Sequence, residues 1–349
     1  MVGERVAYFL ENLSQIKGFL SLVSPEDENV FVLADNASLI EFIGNIFPQA
    51  QRHVVERIPY WQNNSLYIEL LEKGMAGRSR FDFLAECDRC VFFNAVESVH
   101  FHIILDHIAS KGAPVVFANA YRSVDSHMVR MADKDLTAEQ GAFLNEIRRL
   151  SGLALYQYRV NNTWDMFGLD RAAYPEIPLH ILPWRDIARK VPYHVDLGDG
   201  ECALLIDSPV DKFVVHDIDL EASRANIVEF FSKRFAEGLS LLVKPHPAST
   251  KTTFTGTILE DRVRLLDKAF PVELVMHRVP AVYFFSSSTI AAETDGRLFC
   301  LMDLVEFNSD RGRREAYEIL RTGLGDNGDK VEFIPPAVAS GGSLAENHG

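Results

Sequence analysis

The sequence has few cysteines, no long hydrophobic run and no excess of positive charge. Four cysteines in 349 residues are too few for a disulfide scaffold, so we expect a protein of a reducing compartment, the cytoplasm. No apolar run reaches the roughly 18 residues that a membrane-spanning helix needs. Near the N-terminus, Glu11 and Lys17 interrupt the segment where a secretory signal would have its apolar core, so we expect no such signal.

The charge balance and the missing glycine motifs exclude further classes of protein. The chain carries 49 acidic and 35 basic side chains, a net charge of -14. This argues against a general nucleic-acid-binding protein, which needs many Lys and Arg side chains to neutralise phosphates, but it allows a local basic pocket for one phosphate. The sequence contains no glycine-rich Walker or dinucleotide fingerprint, which disfavours enzymes that use ATP or NAD.

Hydrophobic residues make up 47% of the chain, which is enough apolar material for two domains of about 150 residues each. Short apolar segments alternate with helical segments, a pattern typical of parallel α/β sheets. Residues 3–23 carry apolar side chains at helical spacing, which predicts a helix that covers the sheet rather than one on a membrane surface. The strands predicted in the first half are residues 30–33, 53–55, 90–93 and 114–117, and the helices are residues 39–47, 66–73, 99–110 and 137–150.

The second half repeats this alternation after a proline-rich segment. The prolines in residues 160–199 predict a linker or a crossover, because proline interrupts helices and central strands. We predict an α/β fold of two Rossmann-like domains facing a central cleft, with the first domain and its linker at 1–185, a second domain at 186–335 and a flexible tail at 336–349. The strands predicted in the second half are residues 202–206, 239–243, 281–285 and 298–301, and the helices are residues 220–237, 272–277 and 288–293.

A candidate functional histidine follows the strand at 239–243. In Lys244-Pro-His-Pro247, two prolines fix the backbone on both sides of His246 and remove two backbone donors. A histidine held stiffly at the carboxyl end of a strand can donate to a phosphate or act as a general acid. A turn with an ordinary surface histidine accounts for the pattern equally well.

Hydroxyl groups follow the strand at 281–285, in Ser286-Ser-Ser-Thr289. Hydroxyls and free backbone N–H groups at a helix N-terminus bind anions, whereas an N-cap needs only one serine. Between the two motifs lies Pro271-Val-Glu273, which is an ordinary helix start and also offers a carboxylate for the two hydroxyls of a ribose. The strand ends therefore predict a site for one phosphate.

These three motifs, in this order, resemble those of bacterial sialyltransferases. The similarity is to the lipooligosaccharide sialyltransferase family, and next to the bacterial polysialyltransferases, and it extends from residue 244 to residue 288. The resemblance implies a GT-B fold with the first domain on the acceptor side, a CMP-sialic acid donor, a glycan acceptor, and an activity that needs neither a metal nor a cofactor. It further implies a role in the synthesis of bacterial surface polysaccharide or lipooligosaccharide.

The same resemblance implies roles for individual residues. His246 would be the hydrogen-bond donor or acid for the CMP phosphate, Ser286–Ser288 would bind that phosphate, and Glu273 would bind the ribose. Lys244 and Pro247 would line the nucleotide site. Peripheral contact with the inner membrane surface and formation of a homodimer are left open.

The three motifs do not identify the base that activates the acceptor. Related families carry an Asp/Glu-Asp/Glu-Gly motif, and the nearest string here is Gly198-Asp-Gly200, in the linker. Asp217 and Asp219, which follow the strand at 202–206, are the candidate catalytic carboxylates, and Asp35 in the first half is a third. Each also fits a helix cap or a surface carboxylate.

Two alternatives of other classes stay open. The same phosphate cradle would serve a transferase for another nucleotide-activated unit, such as Kdo or glycerol phosphate, or a non-catalytic nucleotide-binding subunit of polysaccharide assembly.

A zinc site is a separate hypothesis. Cys87, Cys90, His100 and His102 have ligand chemistry for zinc, but without a second Cys-x-x-Cys string we favour buried thiols and ordinary histidines.

Overall fold

A computed structural model divides the chain into two compact units, Met1–Tyr193 and His194–Gly349, which we call unit 1 and unit 2. The predicted domain boundaries at residues 185 and 335 stay predictions. The residues that the structure describes are 4–11, 15–24, 27, 29–56, 64–93, 99–118, 128–153, 155–160, 164–169, 174–191, 193–197, 202–207, 217–246, 249, 251–285 and 294–335.

Unit 1 is built on a parallel sheet in the order β3-β2-β1-β4-β5-β9, and β6, β7 and β8 form a separate antiparallel sheet. Its strands are β1 (Val6–Leu10), β2 (Val30–Ala34), β3 (Gln51–Val54), β4 (Arg89–Phe93), β5 (Val115–Ala118), β6 (Met128–Arg130), β7 (Leu155–Val160), β8 (Trp164–Leu169) and β9 (Glu176–Ile177). Its helices are α1 (Ile16–Leu22), α2 (Ala37–Ile46), α3 (Asn64–Ala76), α4 (Val99–Ser110), α5 (Ala138–Ser151) and α6 (Trp184–Lys190).

Unit 2 is built on a second parallel sheet, in the order β13-β12-β10-β14-β15-β17, and β11 pairs with β16 in a small antiparallel sheet. Its strands are β10 (Cys202–Ile206), β11 (Ile218–Asp219), β12 (Ser240–Lys244), β13 (Val263–Leu265), β14 (Ala281–Phe284), β15 (Arg297–Cys300), β16 (Glu306–Phe307) and β17 (Val331–Phe333). Its helices are α7 (Leu220–Ala236), α8 (Glu273–Met276) and α9 (Asp310–Leu324).

The two six-stranded sheets have the same topology. When the strands of each sheet are counted along the chain, both run in the order 3-2-1-4-5-6, which is the order of the Rossmann fold. Every residue of the central strands β1 and β10 is buried, as expected for parallel strands that are covered on both faces. The predicted fold class, α/β with two Rossmann-like domains, is confirmed, whereas the predicted cleft between them stays a prediction.

The prediction for the first residues of the chain is wrong. Residues 6–10 form the central strand β1 instead of a helix, and the helix α1 begins only at Ile16. In the sequence Val-Ala-Tyr-Phe-Leu every residue is apolar and buried, so the helical spacing of Val6, Phe9 and Leu10 is a coincidence within a continuous apolar run. Such a run is typical of a strand buried on both faces.

The described part of the proline-rich segment contains short strands and a helix. The antiparallel sheet extends into it, β9 joins the sheet of unit 1 beside β5, and α6 begins directly after Pro183. Proline fixes a φ that suits the first turn of a helix, so the prolines separate these short elements instead of excluding them. Among the described residues, none of the helices combines the length and the hydropathy that crossing a membrane requires.

Candidate functional site

Lys244 and His246, two of the polar residues predicted for the site, lie at the carboxyl edge of the sheet of unit 2. Ligands of open α/β sheets bind at this edge, where the strand order reverses, which in unit 2 is between β10 and β14. The last residues of three strands stand side by side there, since Ile206 of β10 is in register with Lys244 of β12 and with Phe284 of β14. Two strand spacings, roughly 10 Å, separate the ends of β12 and β14.

The side chain of Lys244 is a buried cation that donates hydrogen bonds to two backbone carbonyls. Its side chain is 6% exposed, and Nζ donates to the carbonyl of Pro245 at 3.0 Å and to that of Lys268 at 2.7 Å. Burial lowers the pKa of Lys244 to about 8, against the opposing charges of Glu273 and Asp267. Lys244 therefore ties the end of β12 to the segment that leads from β13 to α8, and it places a positive charge near Glu273.

His246 lies two residues beyond β12 and is exposed. The residue before it, Pro245, is buried, and the carbonyl of His246 accepts from the backbone N–H of Ser249 at 3.0 Å. Ser249 is buried, and its carbonyl accepts from the side chain of Lys268. The histidine therefore stands at the surface on a hydrogen-bonded turn, next to the end of the central strand.

Glu273 begins α8 and is half-buried. The chain enters this short helix from Pro271, whose carbonyl accepts from the backbone N–H of Leu274 at 3.1 Å. The charge of Glu273 acts to raise the pKa of Lys244, so these two motifs lie near enough for their charges to interact.

Four predicted site residues, Ser286, Ser287, Ser288 and Pro247, lie outside the described residues, as does Gly198-Asp-Gly200. The assignments of these residues stay predictions.

The two candidate catalytic aspartates lie in and beside β11 and take part in local hydrogen bonds. Asp219 is the N-cap of α7, where its carboxylate accepts from the backbone N–H of Ala222 at 3.0 Å. The carboxylate of Asp217 accepts from the hydroxyl of Ser309, at the start of α9. A Cβ on Gly312 would lie 2.7 Å from Asp217 Oδ2, so a larger residue at position 312 would require this side chain to shift. Their role as the acceptor base stays a prediction.

Two residues that the motifs do not include also lie at this edge. Asp207 directly follows β10 and is 3% exposed, and its carboxylate accepts from Thr253 in the loop after His246. A polar residue directly after a buried strand is the same signal that points to His246, so Asp207 could have been found in the sequence. Its partner could not, because Thr253 is 46 residues away along the chain.

The remaining candidates lie in unit 1. Asp35 follows β2 and is half-buried. Cys87, Cys90, His100 and His102 are all buried, and His100 Nδ1 lies 2.6 Å from the carbonyl oxygen of Glu56. Within the described ranges, no group of three or more His, Cys, Asp or Glu side chains is arranged to hold a metal ion.

No known protein family and no curated protein matches the sequence. Solved structures do match over most of the chain. The glycotransferase of kitacinnamycin is 12% identical, covers 97% of this chain and 88% of its own, and has a TM-score of 0.44. UDP-GlcNAc 2-epimerase from Neisseria meningitidis, bound to UDP-GlcNAc, is 12% identical, with coverage of 90% and 85% and a TM-score of 0.42. The α,α-trehalose 6-phosphate synthase from Burkholderia multivorans is 10% identical, with coverage of 92% and 89% and a TM-score of 0.33. Because these scores are low, the assignment of the fold rests on the two sheets themselves.

Proposed function

We propose that the protein is a metal-independent glycosyltransferase, which moves sialic acid or a related nonulosonic acid from a CMP-activated donor to a glycan hydroxyl. One observation carries the proposal. His246 is exposed two residues beyond β12, beside the point where the strand order of a Rossmann-like sheet reverses, and the charge of Glu273 in the next motif acts on Lys244.

The departing CMP determines which groups the chemistry needs. When the bond between the sugar and the phosphate breaks, negative charge builds up on the oxygens of a single phosphate, and catalysis consists of stabilising that charge. His246 would donate a hydrogen bond or a proton to it. The hydroxyls and backbone N–H groups of Ser286–Ser288 would bind the same oxygens, and Glu273 would accept from the hydroxyls of the ribose.

The sugar requires a different group on its opposite face. As CMP leaves, the sugar becomes similar to an oxocarbenium ion, and the attacking acceptor hydroxyl must lose its proton to a base. Asp217 and Asp219 are the carboxylates that we propose for this role. Each of these carboxylates uses one oxygen in a local hydrogen bond, Asp217 to Ser309 and Asp219 to Ala222, which leaves its second oxygen to accept the proton.

Nucleotide binding tests the donor. We would titrate the protein and its His246→Ala variant with CMP, CDP, UMP and UDP, and then measure the release of CMP from CMP-sialic acid in the presence of a glycan acceptor. The proposal expects CMP to bind best and the CMP-sugar to turn over. Preference for UDP or CDP would instead indicate a transferase for another activated unit, and CMP binding without turnover would indicate a binding subunit.

Chelation tests whether a metal takes part. Asp217-Ile-Asp219 is the string that a metal-dependent transferase would use to hold a divalent ion on a diphosphate. With a single phosphate neutralised by His246 and a helix start, EDTA should leave CMP affinity unchanged, as should Asp217→Asn and Asp219→Asn. Loss of nucleotide binding on chelation, restored by Mn²⁺, would contradict the proposal.

A further inference from the structure

Asp207, the residue directly after β10, ties the loop that carries His246 to the end of that strand. The backbone N–H of Asp207 donates to the carbonyl of Lys244, the last residue of β12, at 3.0 Å. The carboxylate of Asp207 accepts twice from Thr253, with Oδ2 2.9 Å from the backbone nitrogen and Oδ1 2.6 Å from Oγ1. Asp207 thus bonds to Lys244, which precedes His246 in the chain, and to Thr253, which follows it.

The hydrogen bonds between Asp207 and Thr253 make the two residues depend on each other. Both bonds are donated by Thr253, which fits an ionised carboxylate because such a group can only accept. Bonds of this kind are shorter and stronger than bonds between neutral groups. A buried carboxylate is costly without them, and Asp207 is almost fully buried. Removing the hydroxyl of Thr253 should therefore weaken this link strongly.

The far end of the loop is anchored to α7 as well. The carbonyl of Thr253 accepts from Nε of Arg224 at 3.0 Å. The next residue, Phe254, is fully buried, and its ring packs edge-to-face on Phe231 of α7 with the centroids 5.4 Å apart. The bonds from Thr253 to Asp207 therefore join a fixed end of the loop to the central strand.

We propose that Asp207 is a positioning residue, which acts through Thr253 to hold the loop of His246 at the carboxyl end of β10. The proposal rests on the proposed function for the role of His246, but the anchoring of the loop can be measured without it.

The first experiment measures the loop itself. Amide hydrogen exchange of residues 244–259 would be compared in the wild type, Asp207→Asn, Thr253→Val and Thr253→Ser. The first two variants should exchange about tenfold faster or more, whereas Thr253→Ser keeps the hydroxyl and should exchange like the wild type. Thr257→Val is the matched control. The hydroxyl of Thr257 donates to the carbonyl of Phe254 at 2.7 Å and not to Asp207, so its removal should leave the exchange of residues 245–249 unchanged. Wild-type exchange in Asp207→Asn and Thr253→Val would overturn the proposal.

The second experiment asks whether the anchor acts through His246. Thr253→Val should lower turnover of the CMP-sugar about tenfold when His246 is present, and less than about twofold in a His246→Ala background, because effects that share one residue do not add. Thr253→Ser, which keeps the hydroxyl, should turn over the CMP-sugar like the wild type. An equal loss in both backgrounds would show that the anchor is merely structural, and would overturn the positioning role.

The two experiments also separate this proposal from the proposed function. If the wild type turns over no CMP-sugar, the proposed function fails, and the exchange of residues 244–259 alone decides whether Asp207 holds the loop. If turnover is found but exchange does not change in the variants, the function stands and Asp207 is not a positioning residue.

Discussion

The two units share a strand order but differ at the ends of their central strands. In unit 1, the side chain of Gln15 joins the ends of β1 and β4, since Oε1 accepts from the backbone N–H of Glu11 at 2.7 Å and Nε2 donates to the carbonyl of Phe93 at 3.0 Å. Gln15 is 1% exposed. A neutral amide thus bridges the two strands between which the order reverses.

In unit 2, a carboxylate rather than an amide lies beyond the central strand. Asp207, the residue directly after β10, bonds to the end of β12 and to Thr253 in the loop of His246. Two sheets of the same topology therefore carry chemically different groups beyond their central strands. The comparison shows that the chemistry of a Rossmann-like sheet is set by the residues after its strands rather than by the fold.

The largest expected effect is at the exposed histidine of unit 2. His246→Ala should lower turnover of a CMP-sugar roughly 100-fold or more, the usual scale for loss of an acid or of a donor to a developing charge. Thermal unfolding should not change, because the side chain is exposed and Pro245 and Pro247 stay in place. His180→Ala, at an exposed position of unit 1, is the matched control and should keep full turnover. Near-normal turnover of His246→Ala would refute the assignment.

The bridge of unit 1 should matter for stability alone. Gln15→Leu leaves the N–H of Glu11 and the carbonyl of Phe93 buried without a partner, at roughly 1–3 kcal/mol each. We therefore expect unit 1 to lose about 3 kcal/mol of unfolding free energy. Hydrogen exchange of each unit provides the measurement, with β10 and β12 as protected as in the wild type.

Gln51→Leu, at an exposed position of β3, makes the same chemical change without burial and should have almost no effect. If Gln15→Leu destabilised the two units equally, the amide would not be a local bridge.

A smaller effect concerns the buried lysine of unit 2. The pKa of Lys244 is lowered to about 8 by burial, from about 10.4 in an unfolded chain. Between these values the unfolded state binds more protons than the folded state, so the stability of the protein rises with pH. Relative to Lys244→Met, the wild type should gain about 2 kcal/mol of unfolding free energy between pH 7.5 and pH 10.

Urea unfolding followed by circular dichroism at several pH values measures this difference, and the titration of all other groups cancels between the two proteins. A difference that is independent of pH would show that Lys244 titrates normally in the folded protein.

The smallest effect should be equal in the two units. Asp219 caps α7, and Thr137 caps α5 in a reciprocal pair with Gln140. Asp219→Ala and Thr137→Ala should each cost about 1 kcal/mol, whereas Asp219→Asn keeps the cap. Turnover of Asp219→Asn then reports on catalysis alone. Loss of turnover with unchanged stability and CMP affinity would support Asp219 as the base, and full turnover would remove it from the candidates.

Many of the strands and helices, and one end of the candidate site, could be predicted from the sequence. Apolar runs such as 202–206 and capped helices such as 138–151 are local features, so their positions could be predicted from neighbouring residues. The place of His246 after a buried strand followed from the same local pattern. The strand at 6–10 was missed because an all-apolar run fits a helical spacing as well as a buried strand.

The tertiary structure alone decided the order of the strands and the hydrogen bonds that depend on it. Gln15 and Phe93 are 78 residues apart, and Asp207 and Thr253 are 46 residues apart. Such pairs meet only after the crossovers have placed β1 beside β4 and β10 beside β12. Local residue preferences do not determine which strands become neighbours. The sequence could therefore indicate His246 after β12, but not Asp207 as the residue that holds its loop in place.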